Sequence, residues 1–428
     1  MRTLSNKCGS PSNIVDSYIY SMEENELFAK GLQLQRPWFI SSLRLEEGET
    51  DKGILHIHIE HEQHSKFIYE ENEYTVYDHQ ERIWQHLNFF EHKCYLYARV
   101  PRVKTKEGKV RLVSVPWAHK GSSFTIKFEQ DILDLISKGM TAVAAGRRYE
   151  IGGKRVFRIV KKYVTVALTS QLLDNVTNLS VDETSYKKGH NYLTITTDND
   201  RKKVVGAAQG KDKEAFAHSL IDMELRGAYR DKVRIITMDM SRSYISGAQE
   251  AMPQAAIVFD RFHIVKKLNE AVDQIRREDQ QKFKELKNSR YLWLTNNDKL
   301  KKKDRKRLDT LKDSYENIGK AYQLKEQFRE VLNEAYNSSK LKPLNDWIKI
   351  AWKSELEPIR KFVNMLHNHW YGIKTYFKKL ATNAFAERVN LKIQEIKRLA
   401  RGYGNTYNFI IMIYFHLGGL DLKSTVFD

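Results

Sequence analysis

Alternating apolar and polar positions predict a β-rich region at the start of the chain. The stretch ILHIHIEHE (54–62) alternates strictly, and CYLYARV (94–100) is rich in aromatic and β-branched residues. The stretch KVRLVSVPWA (109–118) has the pattern of a return strand. We therefore predict a β-rich N-terminal module over residues 1–118.

The pattern changes to a helical period after residue 119. The stretches FTIKFEQDILDLISKG (124–139), MTAVAAGRRY (140–149) and GGKRVFRIVKKYV (152–164) predict three short helices separated by glycine. This is the outline of a helix-turn-helix domain over residues 119–170. A plain three-helix bundle is the alternative.

A second region of strands follows, and it is assigned to residues 171–260. Three strands joined by short turns precede alternating helices and strands. The predicted strands are 179–186, 192–200, 202–210, 233–238 and 255–260, with helices over 213–225 and 241–252. Three meandering strands followed by alternating helices and strands are typical of a ribonuclease H-like (RNase H-like) mixed sheet, so the predicted fold class is α/β.

The rest of the chain is predicted to be helical. No strand pattern appears in 261–357, which we interpret as an all-helical insertion into the RNase H-like core. The second part of the core is assigned to 358–428. Its last long helix, about 384–401, carries an apolar stripe on one side and Glu387 on the other.

Composition favours a polyanionic partner. The chain carries 72 Lys and Arg against 54 Asp and Glu, a formal net charge of +18, which suits nucleic acid, although a merely basic surface is possible. The two cysteines, Cys8 and Cys94, are too few for a disulfide framework or a cysteine zinc site and indicate a reducing compartment. No stretch has the length and apolarity of a signal peptide or membrane span, so we expect a cytoplasmic protein with no membrane partner.

Two basic segments are candidate DNA-binding surfaces. In the N-terminal module, basic residues are interleaved with Tyr95, Tyr97 and Trp117, a mixture that suits phosphate contact and base stacking, unless the hairpin is merely solvated. In the predicted helix-turn-helix, the third helix would act as a recognition helix. The candidate residues are Arg99, Arg102 and Lys104 in the hairpin, Arg147 and Arg148 in the second helix, and Lys154, Arg155, Arg158, Lys161 and Lys162 in the third.

Three carboxylates are candidate catalytic and metal-binding residues. Asp182 lies in the first core strand, Asp239 ends the fourth, and these strands are neighbours in the inferred sheet. Taken singly, such an Asp is usually a turn or cap residue, and Glu387 a solvated helix residue. As a set, Asp182, Asp239 and Glu387 suit two Mg²⁺ ions, which Mn²⁺ could replace, for an in-line displacement at phosphorus.

Four stretches resemble a known family. VDETSYKKGHNYLTI, MDMSRSY, IVFDRFHIVKKLNEAVDQIRR and TNAFAERVNLKIQEIKRLARGYGN resemble bacterial insertion-sequence transposases of the DDE class, in the ISL-three group. The resemblance implies an RNase H-like core whose acidic triad is Asp182, Asp239 and Glu387. It also implies a supporting role for Asp260 and His263 of DRFH, although Asp260 could simply cap the following helix.

The resemblance also implies a function, and the sequence departs from the family near its N-terminus. Relatives commonly have paired cysteines near the N-terminus, whereas the matching stretches 66–78 and 102–111 have none, so no zinc is expected. The chain would bind the terminal inverted repeats of its element, cut there, and join the 3′ hydroxyls to target double-stranded DNA. It would do so at the nucleoid as a homodimer or larger assembly.

Three rival hypotheses remain open. The first is a catalytically inactive helix-turn-helix regulator derived from a transposase. The second is an RNase H-like nuclease that cuts without joining. A helical structural or partner-binding protein is the third, and it leaves the three placed carboxylates without a purpose.

Overall fold

A computed structural model describes residues 24–48, 52–187, 189, 191–338, 341–379 and 384–423. The chain divides into two compact units. The N-terminal unit falls within Met1–Val166 and Asp421–Asp428, and the C-terminal unit is Ala167–Leu420. Parts of the predicted 1–118 module, with Cys8, and the end of the 358–428 segment lie outside the described residues.

The N-terminal unit is a sheet followed by helices. Its strands are β1 Trp38–Glu46, β2 Ile54–His61, β3 Lys66–Tyr69, β4 Asn72–Thr75, β5 Asp78–Phe89, β6 His92–Lys104 and β7 Val110–Leu112. Its helices are α1 Glu24–Leu32, α2 Ile126–Ser137, α3 Ala142–Arg148 and most of α4 Gly153–Ser170. These strands and helices fall in the regions predicted to be β-rich and helical, while the domain boundaries at 118 and 170 stay predictions.

The N-terminal sheet has the order β1-β2-β6-β5, with β7 paired to β6 and β3 paired separately to β4. Strands β2 and β6 run parallel, and the other pairs are antiparallel. Trp38 and Trp84 each pack edge-on against Trp117 in its core, at ring distances of 5.0 and 5.6 Å. The predicted return strand 109–118 is paired with β6 only over β7; Pro116, which has no N–H to donate, follows soon after.

Threonine side chains cap the N-termini of α2 and α3. Thr125 accepts a hydrogen bond from the Phe128 amide at 3.3 Å at the start of α2, and Thr141 accepts one from Ala144 at 3.1 Å at the start of α3. Helix α4 runs past its predicted end at 164, because the buried Val164 and Ala167 continue its apolar stripe.

The C-terminal unit contains five strands and eleven helices among its described residues. The strands are β8 Asn178–Lys187, β9 Asn191–Asp198, β10 Lys203–Gln209, β11 Ile235–Met238 and β12 Ala256–Phe259. The helices are α5 Lys213–Glu224, α6 Arg242–Ala251, α7 Arg261–Lys282, α8 Arg290–Leu294, α9 Lys302–Ser314, α10 Glu316–Ser338, α11 Lys342–Trp352, α12 Glu357–Asn368, α13 Trp370–Lys379, α14 Ala384–Leu399 and α15 Thr406–Leu417.

The C-terminal sheet has the order β10-β9-β8-β11-β12. Strands β8, β9 and β10 form an antiparallel meander, whereas β11 runs parallel to both β8 and β12. All five predicted core strands and the two helices between them are confirmed. The protein is therefore a mixed α/β chain.

Close packing joins helices to this sheet. A Cβ on Gly206 of β10 would lie 2.2 Å from the carbonyl oxygen of Ser219, so only glycine lets α5 approach this closely. Helices α13, α14 and α15 contact β12, β8 and β10 respectively. Helices α7 to α11 are the predicted strand-free segment, with a core that includes the fully buried Trp293 and Phe328. No helix in the described ranges has the length and apolarity needed to cross a membrane.

Candidate functional site

Three aspartates lie side by side at one edge of the C-terminal sheet. Thr237 of β11 pairs with Ser180 of β8, and continuing this parallel register by two residues brings Asp239 beside Asp182. Met238 pairs with Phe259 of β12, so one further step brings Asp260 beside Asp239. Adjacent strands are about 4.8 Å apart, which places Asp239 within reach of Asp182 on one side and of Asp260 on the other.

Backbone amides orient the first two carboxylates. Asp182 Oδ1 accepts a hydrogen bond from the Glu183 amide at 2.8 Å, and Asp239 Oδ1 accepts one from the Ser241 amide at 2.9 Å, just before α6. Both aspartates are half-buried. Their carboxylates are thus fixed by the main chain while they remain partly accessible to solvent.

Asp260 caps α7, which is the alternative role that the sequence analysis gave for it. Its Oδ1 accepts a hydrogen bond from the Phe262 amide at 3.0 Å and caps α7, and the residue is 5% exposed. His263 Nε2 lies 3.9 Å from Asp260 Oδ2. Capping does not remove Asp260 from the site, because the same carboxylate interacts electrostatically with Asp182.

Glu387 comes to this region from α14, which packs on β8. The helix buries Ala386, Val389 and Ile393, and Glu387 lies on its exposed side. The Glu387 carboxylate interacts electrostatically with Asp260 and His263. The fold therefore brings all five predicted site residues into one electrostatic neighbourhood.

The electrostatics of the site favour uptake of positive charge. Burial is the main cause that raises the pKa of Asp182 to about 6; the carboxylates of Asp239 and Asp260 act in the same direction, and the Glu183 amide and His263 oppose it. Partial burial of its carboxylate likewise raises the pKa of Glu387, with Asp260 adding to the effect. Several carboxylates in one place repel each other unless a cation or a proton joins them.

The described residues contain no group of three or more His, Cys, Asp or Glu side chains already gathered as ligands for one metal ion. The donor set at the sheet edge nevertheless consists of carboxylate oxygens, which are the ligands that Mg²⁺ and Mn²⁺ prefer. Asp182 and Asp239 are the pair that the strand register places next to each other.

Sequence reasoning missed one residue of this site. Asn390 Nδ2 donates a 2.6 Å hydrogen bond to Asp182 Oδ2, so both oxygens of that carboxylate are held. The available signal was spacing, since Asn390 follows Glu387 by three residues and therefore shares its face of α14.

The basic candidates of α3 and α4 are mostly exposed. Arg147, Arg148, Lys154, Arg158 and Lys161 are all exposed. Their side chains can therefore reach a ligand.

Arg155 and Lys162 of α4 have defined contacts within the N-terminal unit. Arg155 is exposed but lies over the Phe124 ring at 4.6 Å and donates to Ser123 Oγ at 3.2 Å. Lys162 is half-buried, and its ammonium lies 3.8 Å from the buried carboxylate of Glu129.

The β6–β7 hairpin matches its predicted role only in part. Arg99 and Lys104 are exposed, whereas the Arg102 guanidinium forms a two-point ion pair with Asp78. Trp117 was predicted to stack on bases, and that prediction is wrong. The residue is 6% exposed because the sheet core needs its ring.

Comparison with known proteins identifies the C-terminal unit. Residues 179–413 match the ISL3 (ISL-three) family model, which is described as a transposase. Residues 72–107 match a second model, the zinc-finger of transposase IS204/IS1001/IS1096/IS1165. The first match covers more than half of the chain and includes every predicted catalytic residue.

Individual relatives agree with this match. The chain is similar to the transposase for insertion sequence element IS1001 of Bordetella parapertussis, with 26% identity over 76% of this chain and 82% of the relative. It is also similar to the transposase for insertion sequence element IS1557 of Mycobacterium tuberculosis, with 25% identity over 79% of this chain and 82% of that relative.

The zinc-finger match corrects one prediction. We expected no zinc because cysteine pairs are absent, but the match at residues 72–107 points to zinc binding. Within that segment Cys94 is 1% exposed, and burial raises the pKa of its thiol to about 12. Since no ligand set is gathered within the described ranges, no residue is assigned to the metal.

Proposed function

This chain belongs to the ISL3 family of transposases, and on that premise we propose that it is an active DDE enzyme with an RNase H-like core. It binds the terminal inverted repeats of its insertion sequence, cuts strands at the ends, and transfers the 3′ hydroxyls to target DNA. The observation that carries the proposal is the register that aligns Asp182, Asp239 and Asp260 at one sheet edge, within the electrostatic neighbourhood of Glu387.

The catalytic assignments follow from this alignment. Asp182, Asp239 and Glu387 are the proposed triad and would hold Mg²⁺, with Mn²⁺ as a substitute. Two such ions, held by these carboxylates, would supply Lewis-acid activation of the attacking oxygen and charge stabilisation for the departing oxygen at phosphorus. The donor set fits, because it consists of carboxylates whose mutual repulsion a divalent cation relieves.

The protein's own groups prepare the site. The amides of Glu183 and Ser241 fix the orientation of Asp182 and Asp239. Asp260 and His263 act as supporting residues, since Asp260 adds negative charge and His263 offsets part of it. Water would be the nucleophile in cleavage and the freed 3′ hydroxyl in strand transfer, so no covalent protein intermediate is needed.

DNA recognition is assigned to the N-terminal unit. Helices α2 to α4 would act as a helix-turn-helix, with Lys154, Arg158 and Lys161 of α4 facing phosphates or bases. Arg99 and Lys104 of the β6–β7 hairpin would add phosphate contacts. The division at 118, 170, 260 and 357 remains a prediction, as does assembly into a dimer that joins two ends.

An inactive DNA-binding regulator is the alternative. It would keep the N-terminal basic surface but gain nothing from aligned carboxylates, whose mutual repulsion destabilises a protein that binds no cation. A nuclease that cuts without joining differs only in the second step.

A strand-transfer assay tests the proposal. Labelled DNA carrying the element ends is incubated with Mg²⁺ or without it, using wild type and Glu387→Gln, and pre-cut ends are supplied in a second series. We expect boundary nicking and joining that require both metal and Glu387. Binding without cutting in both proteins would establish the regulator, and nicking without joining of pre-cut ends would establish the nuclease.

A further inference from the structure

Three polar side chains of α14 fasten this helix to β8. Asn390 donates to Asp182 Oδ2 at 2.6 Å, and Gln394 donates to Thr184 Oγ1 at 2.8 Å and to the Ser185 carbonyl at 3.2 Å. Lys397 donates to the same carbonyl at 2.9 Å. These residues share one face of the helix because they are spaced by about one turn. Only Asn390 contacts a proposed catalytic residue.

The two ends of the Asn390 amide have different surroundings. Its nitrogen faces the Asp182 carboxylate, and the reverse orientation would set oxygen against oxygen, so the donor assignment is secure. Its oxygen, Oδ1, is buried and accepts no hydrogen bond from any described residue. A buried acceptor without a partner destabilises a folded protein, and an apolar side chain of the same size avoids that cost.

We propose that Asn390 is a positioning residue that orients the Asp182 carboxylate for metal binding. The inference rests on the proposed function and adds a residue to it. With Glu183 holding Oδ1 and Asn390 holding Oδ2, the carboxylate cannot rotate, and each oxygen keeps a lone pair for a cation. An outer partner that fixes a ligating carboxylate in this way strengthens metal affinity.

Thermal stability distinguishes a positioning role of Asn390 from a purely structural one. If Asn390 served only to fasten α14, replacing it would lower the melting temperature, as expected for Gln394, which donates hydrogen bonds to Thr184 and to the Ser185 carbonyl. If Asn390 instead orients Asp182, Asn390→Leu removes the buried acceptor Oδ1, which has no described partner, and keeps the side-chain volume. The half-buried Asp182 stays accessible to water. The fold should then tolerate the change.

The experiment compares wild type, Asn390→Leu and Asn390→Ala with Gln394→Ala as the matched control. Direct Mn²⁺ binding is measured by electron paramagnetic resonance, together with the metal dependence of end nicking, DNA binding and the melting temperature.

We expect both Asn390 variants to weaken Mn²⁺ binding by about 10- to 100-fold. Their binding to DNA ends should not change, and Asn390→Leu should melt no more than about 3 °C below wild type. Gln394→Ala should keep the metal affinity of wild type.

The outcomes separate this inference from the proposed function. Unchanged Mn²⁺ affinity in both Asn390 variants overturns the positioning role, whatever happens to nicking. A loss of affinity in Gln394→Ala equal to that in Asn390→Leu also overturns it, because general loosening of α14 would then be the cause. If wild type binds Mn²⁺ but never nicks, the proposed function fails while the Mn²⁺ affinities still decide the role of Asn390. No Mn²⁺ binding by wild type overturns both.

Discussion

Asp239, the residue after β11, lies beside Asp182 of β8. Thr237 of β11 pairs in parallel with Ser180 of β8, and each aspartate lies two residues farther along the chain. The two carboxylates are therefore held by the sheet itself. Rigid strands position catalytic groups more accurately than loops do. This geometry leads to the most direct prediction.

Asp239→Ala is expected to abolish cleavage and leave DNA binding intact. The change removes one of two adjacent carboxylates without touching the basic α4, so nicking of end DNA should fall by at least about 10³-fold. Binding is measured by gel shift and nicking with Mg²⁺. Asp231→Ala, at an exposed position, is the control and should cut normally. Metal-dependent cutting by Asp239→Ala at the wild-type rate would remove Asp239 from the site.

Glu129→Ala is expected to destabilise the N-terminal unit. This carboxylate is 2% exposed and accepts hydrogen bonds from Tyr163 at 3.0 Å and Ser122 at 2.8 Å. Its removal breaks both hydrogen bonds and the ion pair with Lys162, so the free energy of unfolding in urea should fall by about 1.5–3 kcal/mol. Asp134→Ala breaks an exposed ion pair with Lys138, which follows α2 directly, and should cost at most about 1 kcal/mol. Equal losses in the two variants would refute the network.

The free energy of unfolding should decrease in mild acid, partly because of His86. Burial lowers its pKa from 6.5 to about 4, and Lys127 contributes. Below pH 6.5 the unfolded chain therefore binds a proton that the folded chain excludes until about pH 4. The loss across this window is up to about 3 kcal/mol for this group.

Urea unfolding at about pH 7 and about pH 5 tests this effect. His86→Gln should reduce the dependence of stability on pH, because the hydrogen bond to Thr125 can be kept while the titrating ring is lost. His218→Gln, at an exposed histidine, should leave the dependence as it is. An undiminished dependence in His86→Gln would show that other groups cause it.

Binding to the element ends should weaken with salt, and α4 should supply part of that dependence. Each phosphate contact releases counterions, so Lys154→Ala and Arg158→Ala should each reduce the slope of log affinity against log salt by about one unit. Fluorescence anisotropy at several salt concentrations measures the slope. Lys349→Ala on α11 is the control, since Lys349 pairs with Asp346 at 3.5 Å. Slopes that match wild type would exclude α4 from the DNA surface.

Sequence patterns predicted the C-terminal sheet well because its first three strands are separated by short turns and its last two, β11 and β12, are short, mostly apolar runs. From β8 and β11 the positions of Asp182 and Asp239 followed directly. The same reasoning did not assign β5, since its sequence DHQERIWQHLNF is largely polar and this strand forms by pairing with β6. A strand that is stabilised by pairing with its neighbour, and not by an apolar pattern of its own, is not visible in a local pattern.

Contacts of buried polar groups were also not predictable from the sequence pattern. Lys162 was predicted to contact DNA because it lies on the basic helix α4, but its ammonium is attracted by the carboxylate of Glu129 on α2. Nothing in a periodic pattern distinguishes a buried carboxylate on α2 from a solvated one. Asn390 was missed for a similar reason, because its partner lies on a strand more than two hundred residues earlier.

The order of synthesis gives α14 a further significance. The ribosome completes the basic helix α4 and all three aspartates of the sheet long before it reaches Glu387 and Asn390. On the proposed assignments, a message cut short after α12 would encode the basic surface of α4 without Glu387, and therefore an end-binding chain that lacks the third carboxylate of the triad. On the same assignments, that product would compete with the full-length chain for the element ends, so premature termination would yield a competitor rather than a silent fragment.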